Sequence, residues 1–572
     1  MQGPKAPKDP TKKRKSFFIM RNKAVAGAVQ PAGNGIQFIY LNDGRMISSA
    51  KIVGGISDEN MLELLKTTEG FRKLVHSIGI TVEADDREKQ VDFVFQMYGK
   101  TNIYGSGTNL RKSLRADGME NILVLDECNW SEDDDIPGQI RFEFKTAGEF
   151  ASVSVRFYLQ DGFDAPEPEE EEKADFSSPY YQEMLEQSLI QVGNNVRLKK
   201  AIDKAKAGED VTIAFIGGSI TQGAGAIPIN TQCYAYKTFR GLCELAGKGT
   251  EENIHYIKAG VGGTPSELGM LRYERDVLRN GTVTPDIVVV EFAVNDAGDE
   301  TNGECYDSLV RKILSAQNAP AVILLFAVFA DDFNLQDRLI PVGKAYNLPM
   351  ISTKNAVVEQ FYKKPGEGKV VSKGQFFYDS FHPTNVGHTV MADGLIHLLK
   401  TVDAQPADKE DIVLEKIPAP IGGEFQNVKL LAASQNNCNA VIDVGDFTDC
   451  DSELQCVEQD LNLVPTPEFP DNWMYKGSEK KGEGKAFSMD ITCSALLLIF
   501  KDSASPNVGC AQVFVDGEMV LFANPKINGW THCNPAICFR GREKKSYHVE
   551  VKMQPGDEDK NFTILGFGYV ED

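Results

Sequence analysis

The chain has 572 residues, with 60 Lys and Arg against 82 Asp and Glu, for a formal net charge of −22. That length exceeds one hydrophobic core and implies about three domains. The acidic balance argues against a nucleic-acid or anionic-membrane partner, either of which needs a basic face, and no run approaches the ~20 apolar residues of a membrane span.

Residues 1–15 are Lys- and Pro-rich and read as disordered. The apolar run that follows, residues 17–20, is shorter than the roughly 7–15 residues of a secretory signal. A cytoplasmic location is therefore expected. Eleven cysteines, seven of them beyond residue 430, lack zinc-ribbon spacing and read as free thiols of a reducing compartment. Between residues 16 and 159, short period-two strands at 36–41, 90–98, 140–144 and 153–159 predict an antiparallel β-sandwich. One helix, over 58–75, interrupts it. An N-terminal accessory domain over 1–164 is thus expected, followed by an acidic linker, 165–177, that opens with A-P-E-P-E-E-E-E-K.

A long helix is expected over 180–207. Strands at 211–216, 254–259, 287–293, 321–328 and 349–352 then alternate with helices at 234–246, 266–278, 305–314, 335–346 and 385–399. This pattern predicts an α/β fold, a three-layer α/β/α sandwich on a five-stranded, mostly parallel sheet. Catalytic groups gather at the carboxyl ends of such strands, and three ends carry candidates. V-T-I-A-F-I-G-G-S at 211–219 lifts Ser219 off the sheet on a Gly-Gly turn, its N–H free to meet an anion. A capping serine is the plainer alternative. D-I-V-V-V-E-F-A-V-N-D at 286–296 delivers Asn295, with Asp296 read as a loop-holding residue. D-S-F-H-P-T-N-V-G-H at 379–388 places Asp379 three residues before His382 in a turn that opens a helix. His388 reads as a structural hydrogen-bonder and His255 as core.

These blocks, in this order, resemble those of the SGNH (GDSL-type) hydrolases. G-G-S-I-T matches the first, Gly263 in G-V-G-G-T the second, Asn295 in A-V-N-D the third, and Asp379 with His382 the last. The resemblance covers roughly residues 178–400 and departs at Ala293, where the family often has glycine. It implies a hydrolase domain over 178–401 with Ser219 as nucleophile, His382 as base and Asp379 fixing its tautomer. The backbone N–H groups of Ser219 and Gly263 and the Asn295 amide are the implied oxyanion donors. Thr221 rules out the G-x-S-x-G elbow of α/β-hydrolases, and G-V-G-G-T lacks the lysine of a phosphate loop. With no dinucleotide or metal motif visible, no cofactor and no metal are expected.

A second linker over 402–423 precedes strands at 428–432, 495–500, 511–517, 546–553 and 564–570. They predict a C-terminal β-sandwich over 424–572 of jelly-roll or carbohydrate-binding type. Its loop I-N-G-W-T-H-C-N-P at 527–535 carries Trp530, which either stacks on a sugar or folds back onto its own core. This domain order resembles multidomain carbohydrate acetylesterases. The expected activity is removal of O-acetyl groups from hemicellulose-derived oligosaccharides such as mannan or xylan fragments. The alternatives are a short-chain esterase, thioesterase or O-acetyltransferase on the same residues, or a non-catalytic carbohydrate-binding protein. The expected partner is an acetylated oligosaccharide; the oligomeric state stays open, a homodimer included.

Overall fold

A computed structural model describes residues 13–571 apart from 43, 169–172, 248–251, 365, 435–439, 463 and 480–483. Residues 1–12 of the expected disordered stretch 1–15, and 169–172 of the expected acidic linker 165–177, lie outside the described residues.

The apolar runs in the middle of the chain become one sheet. Its order is Leu189–Gln191, Met350–Ser352, Ala321–Phe326, Ile287–Glu291, Val211–Gly217, Ile254–Gly260. The last five pair in parallel. Numbered along the chain, those five stand 2-1-3-4-5, so the winding reverses between Val211–Gly217 and Ile287–Glu291. An open α/β sheet forms its ligand crevice at such a reversal. Val211, Ile213 and Phe215 enter one core while Ala214 and Ile216 enter the other, which is why these strands read as unbroken apolar runs.

The sheet has six strands, not five. The helix expected over 180–207 is broken: Pro179–Ser188 and Val196–Lys206 are helical, and Leu189–Gln191 between them pairs antiparallel with Met350–Ser352. Gly193 sits at φ 63°, and a Cβ there would lie 2.5 Å from the Asn347 carbonyl oxygen. A left-handed residue cannot continue a right-handed helix.

The N-terminal residues form two antiparallel sheets over one shared core, in which the Phe71, Phe95 and Phe157 rings touch. The helix expected over 58–75 is two, Glu59–Leu64 and Thr68–Leu74. Thr67 restarts it as a cap, its Oγ1 accepting the Gly70 N–H at 3.0 Å. A further helix, Arg45–Ile52, was not anticipated.

Two five-stranded antiparallel sheets make up most of the C-terminal part, together with a two-stranded ribbon of Cys456–Val457 and Thr466–Pro467. Its strand Ala495–Asp502 is buried on both faces. Leu496, Leu498 and Phe500 point to the second C-terminal sheet, whereas Ala495, Leu497 and Ile499 join the core beneath the central sheet. Helix Ser266–Asp276 of the central unit lies against Lys429–Leu431 and His532–Phe539. The chain between is pinned as well: Asn195 bonds Pro406 and Asp408, Arg197 pairs with Asp411 at 3.0 Å, and Asp307 accepts the Ile421 and Gly422 N–H groups. The described cysteines are free thiols. Among the described residues no helix is long and apolar enough to cross a membrane.

Because Leu497 plugs this shared core, Leu497→Ala is expected to cost about 2–5 kcal/mol of stability. Denaturant unfolding checks it; a cost below about 1 kcal/mol contradicts a continuous core.

Candidate active site

Ser219 stands one residue, Gly218, beyond strand Val211–Gly217, as the first residue of a short helix, Ser219–Gln222, whose leading N–H groups have no intrahelical acceptor. Its position is fixed from below by Arg272, a fully buried guanidinium that donates to Gly217 O at 2.8 Å and Ala259 O at 2.7 Å. Arg272 thereby ties together the ends of the strands that precede Ser219 and Gly263.

His382 and Asp379 arrive in the turn before helix Asn385–Ala404. The Ser219 hydroxyl lies 3.0 Å from His382 Nε2, and His382 Nδ1 lies 2.9 Å from Asp379 Oδ2. With Nδ1–H donating to the carboxylate, Nε2 is left as acceptor for the serine proton. Asp379 Oδ1 also accepts the N–H groups of Phe381 and His382, each at 2.8 Å. Burial alone would raise the Asp379 carboxyl, but His382 and these N–H groups win and hold it down at about 2. The aspartate is therefore a carboxylate throughout the working pH range.

The other three candidates converge on the same place. A Cβ on Gly262 would lie 3.7 Å from Ser219 Cβ, so the turn Val261–Gly263 touches the serine. Asn295 lies across Gly218, where a Cβ would meet its amide at 2.2–2.8 Å; its buried Oδ1 has no partner among the described residues. Trp530 is 44% exposed, and its Cζ2 lies 2.7 Å from where a Cβ on Gly263 would stand. Gly263, at φ 70°, is thus glycine for two reasons, conformation and space. The loop holding Trp530 is shorter than expected, since a strand begins at His532.

Neighbouring residues play structural parts. His388 uses both ring nitrogens, accepting from Tyr234 N–H and donating to Ala224 O, and burial pushes it down to about 3. Asp296 accepts the Ser266 N–H at 2.8 Å. His255 is not core: it is exposed and pairs with Asp210, because its strand is at the sheet edge. Sequence reading missed two contacts from the N-terminal part. Lys23 Nζ donates to Gly374 O at 2.8 Å and Phe377 O at 2.6 Å, and Arg45 Nε lies 3.9 Å from Asp379 Oδ2. Nothing local in the sequence signals contacts across more than 300 residues. Behind the His382 turn a cavity of about 820 Å³ separates these parts, lined in part by Phe150, Phe176 and Tyr378.

Glu291 ends the strand beside Ser219, fully buried, and burial pushes its carboxyl up to about 8 despite a bond from Thr221. The folded chain keeps this proton where the unfolded chain, near about 4.3, has lost it. Stability attributable to Glu291 therefore falls as pH rises between those values, by at most about 1.4 kcal/mol per unit. Glu291→Gln is expected to melt above the parent at pH 8, with the gap closing toward about pH 4.5. A difference independent of pH contradicts the buried neutral carboxyl.

Known proteins resemble this chain in sequence and in fold. Residues 215–390 match the GDSL-like Lipase/Acylhydrolase family. The chain is similar to the crystal structure of a two-domain esterase (CEX) active on acetylated mannans, with 26% identity over 68% of this chain and 99% of that one, at a TM-score of 0.57. A structure of such an esterase co-crystallized with mannopentaose matches over the same shares at 26% identity and 0.55. No curated protein matches the chain. Residues 215–390 are thus a GDSL-type (SGNH) hydrolase domain, in a chain that resembles carbohydrate esterases.

Proposed function

We propose that the chain is a serine esterase that removes O-acetyl groups from carbohydrates, hemicellulose-derived oligosaccharides such as acetylated mannan fragments in particular. The observation that carries this is the continuous line from Ser219 Oγ through His382 to Asp379, at 3.0 and 2.9 Å. In this reading His382 Nε2 takes the Ser219 proton as Oγ attacks the acetyl carbonyl. The N–H groups of Ser219 and Gly263 and the Asn295 amide receive the developing oxyanion. His382 then protonates the departing sugar oxygen, leaving acetyl-Ser219, and next activates a water that releases acetate. Asp379 stays ionised and holds the imidazole. No cofactor enters this scheme.

The sugar half of the proposal rests on two things: likeness to an esterase active on acetylated mannans, and a half-exposed Trp530 against the Gly263 turn. A tryptophan face offers a broad apolar plane to the C–H groups of a sugar ring. Phe381, 50% exposed inside the Asp379–His382 turn and packed edge-on to Phe329, adds a second aromatic surface. We read the chain as an accessory domain over 1–164, a linker over 165–177, the hydrolase over 178–401, a connecting segment over 402–423 and a carbohydrate-binding-like domain over 424–572. A cytoplasmic enzyme of this kind would finish imported acetylated fragments.

Acetate release from acetylated manno- and xylo-oligosaccharides, set against p-nitrophenyl esters of rising chain length, tests the substrate class. Preference for long acyl esters contradicts it. Ser219→Ala is expected to lose about 10⁴–10⁶-fold in kcat with folding intact; activity within tenfold of the parent sinks the assignment. Trp530→Ala is expected to raise KM for acetylated oligosaccharides about tenfold, or about 1.4 kcal/mol, with a smaller change on p-nitrophenyl acetate. Equal losses on both substrates remove the stacking role.

A further inference from the structure

The peptide that would supply the Gly263 N–H is held by the C-terminal part of the chain. Gln455 Nε2 donates to Gly262 O at 2.7 Å, and Gly262 O belongs to the same peptide unit as the Gly263 N–H. Gln455 is itself fixed, its Oε1 accepting the Cys533 N–H at 2.9 Å. The next carbonyl, Gly263 O, lies 3.0 Å from His532 Nε2, and His532 Nδ1 lies 3.3 Å from Asp502 Oδ2. Asn528 and Asn534 hold the Asp502 carboxylate. On the hydrolase side, Gln222 Oε1 accepts the Gly262 N–H at 2.9 Å. Gln455, His532 and Asp502 are all buried.

Ordinary interface adhesion does not need this arrangement. Placing a carboxylate and an imidazole in a buried interface costs desolvation that well-packed apolar groups avoid. Here the buried polar groups converge on a single turn, and on both peptide units that flank a glycine. That glycine sits at φ 70°, and with no Cβ its backbone is freer to move than that of any other residue, so a fixed N–H direction gains from outside restraint. A bond to the carbonyl of a peptide also polarises its own N–H. Donors stabilise an oxyanion most when they need no reorganisation at the moment of reaction.

We propose that Gln455 and His532, the latter held by Asp502, are positioning residues that pre-set the Gly263 N–H as an oxyanion donor, so that the C-terminal part of the chain completes the reaction centre. This rests on the reading of Ser219 as nucleophile and Gly263 as donor. None of the three residues touches the reacting atoms; they act through the Val261–Gly263 turn.

The test uses the full chain with p-nitrophenyl acetate, which has no sugar to bind, and counts active serines by titration with an organophosphate ester. Gln455→Met and His532→Leu are each expected to lower kcat per titrated serine about tenfold to hundredfold with KM within about twofold, because an oxyanion donor acts on the transition state. His532→Gln, whose amide can still donate to Gly263 O, is expected to recover most of the loss. The double variant is expected to lose less than the product of the singles, since both act on one turn. A kcat per titrated serine within about twofold of the parent in both single variants overturns the proposal. So does a loss confined to the fraction of titratable enzyme, or an equal loss in His532→Leu and His532→Gln. If Ser219→Ala keeps its activity, the underlying reading falls too, which separates that failure from this one.

Discussion

The two-sided burial of strand Ala495–Asp502 is the constraint on which the arrangement depends. One face closes the C-terminal pair of sheets, and the other lies in the core beneath the central sheet. A strand with both faces buried cannot slip by one residue without turning each side chain to the wrong core. That register sets where the neighbouring strand His532–Phe539 begins. His532, Cys533 and the loop with Trp530 therefore meet the Val261–Gly263 turn at fixed positions. The attachment is apolar and large, while the groups it delivers are polar and few.

The central sheet presents its side of the centre by a different route. Reversal of the strand order between Val211–Gly217 and Ile287–Glu291 opens the crevice, and each strand end contributes one small, constrained feature. Gly218 leaves room for the Asn295 amide, and Gly263 leaves room for Trp530. The polar groups packed under these turns, Arg272 and the protonated Glu291, are expensive to bury. They are placed where backbone ends must be held rather than where stability alone would put them. The N-terminal part adds Lys23 and Arg45 around the turn with Asp379, so segments far apart in the chain meet at one serine.

What could be read from the sequence follows the range of the interaction. The parallel strands were legible as unbroken apolar runs, and the spacing of Asp379 and His382 was legible because one turn holds both. Breaks that depend on a single backbone state were harder. V-G-N-N at 192–195 contains the signal that ends a helix, yet apolar periodicity on either side hid it. T-T-E-G at 67–70 hid a cap in the same way. His255 looked like core because an edge strand and a central one differ only in their neighbours. Gln455, His532 and Arg45 carry no local signal at all; their meaning comes from which part of the chain lies opposite.

The most direct measurement of the central claim is covalent. The enzyme is mixed with an acetylated manno-oligosaccharide, quenched in acid during turnover, digested and examined by mass spectrometry. The account predicts one added acetyl group, located on the peptide that contains Ser219 and absent when the substrate carries no acetyl. Turnover with no acetylated peptide at Ser219, or with the acetyl group on another residue, contradicts it.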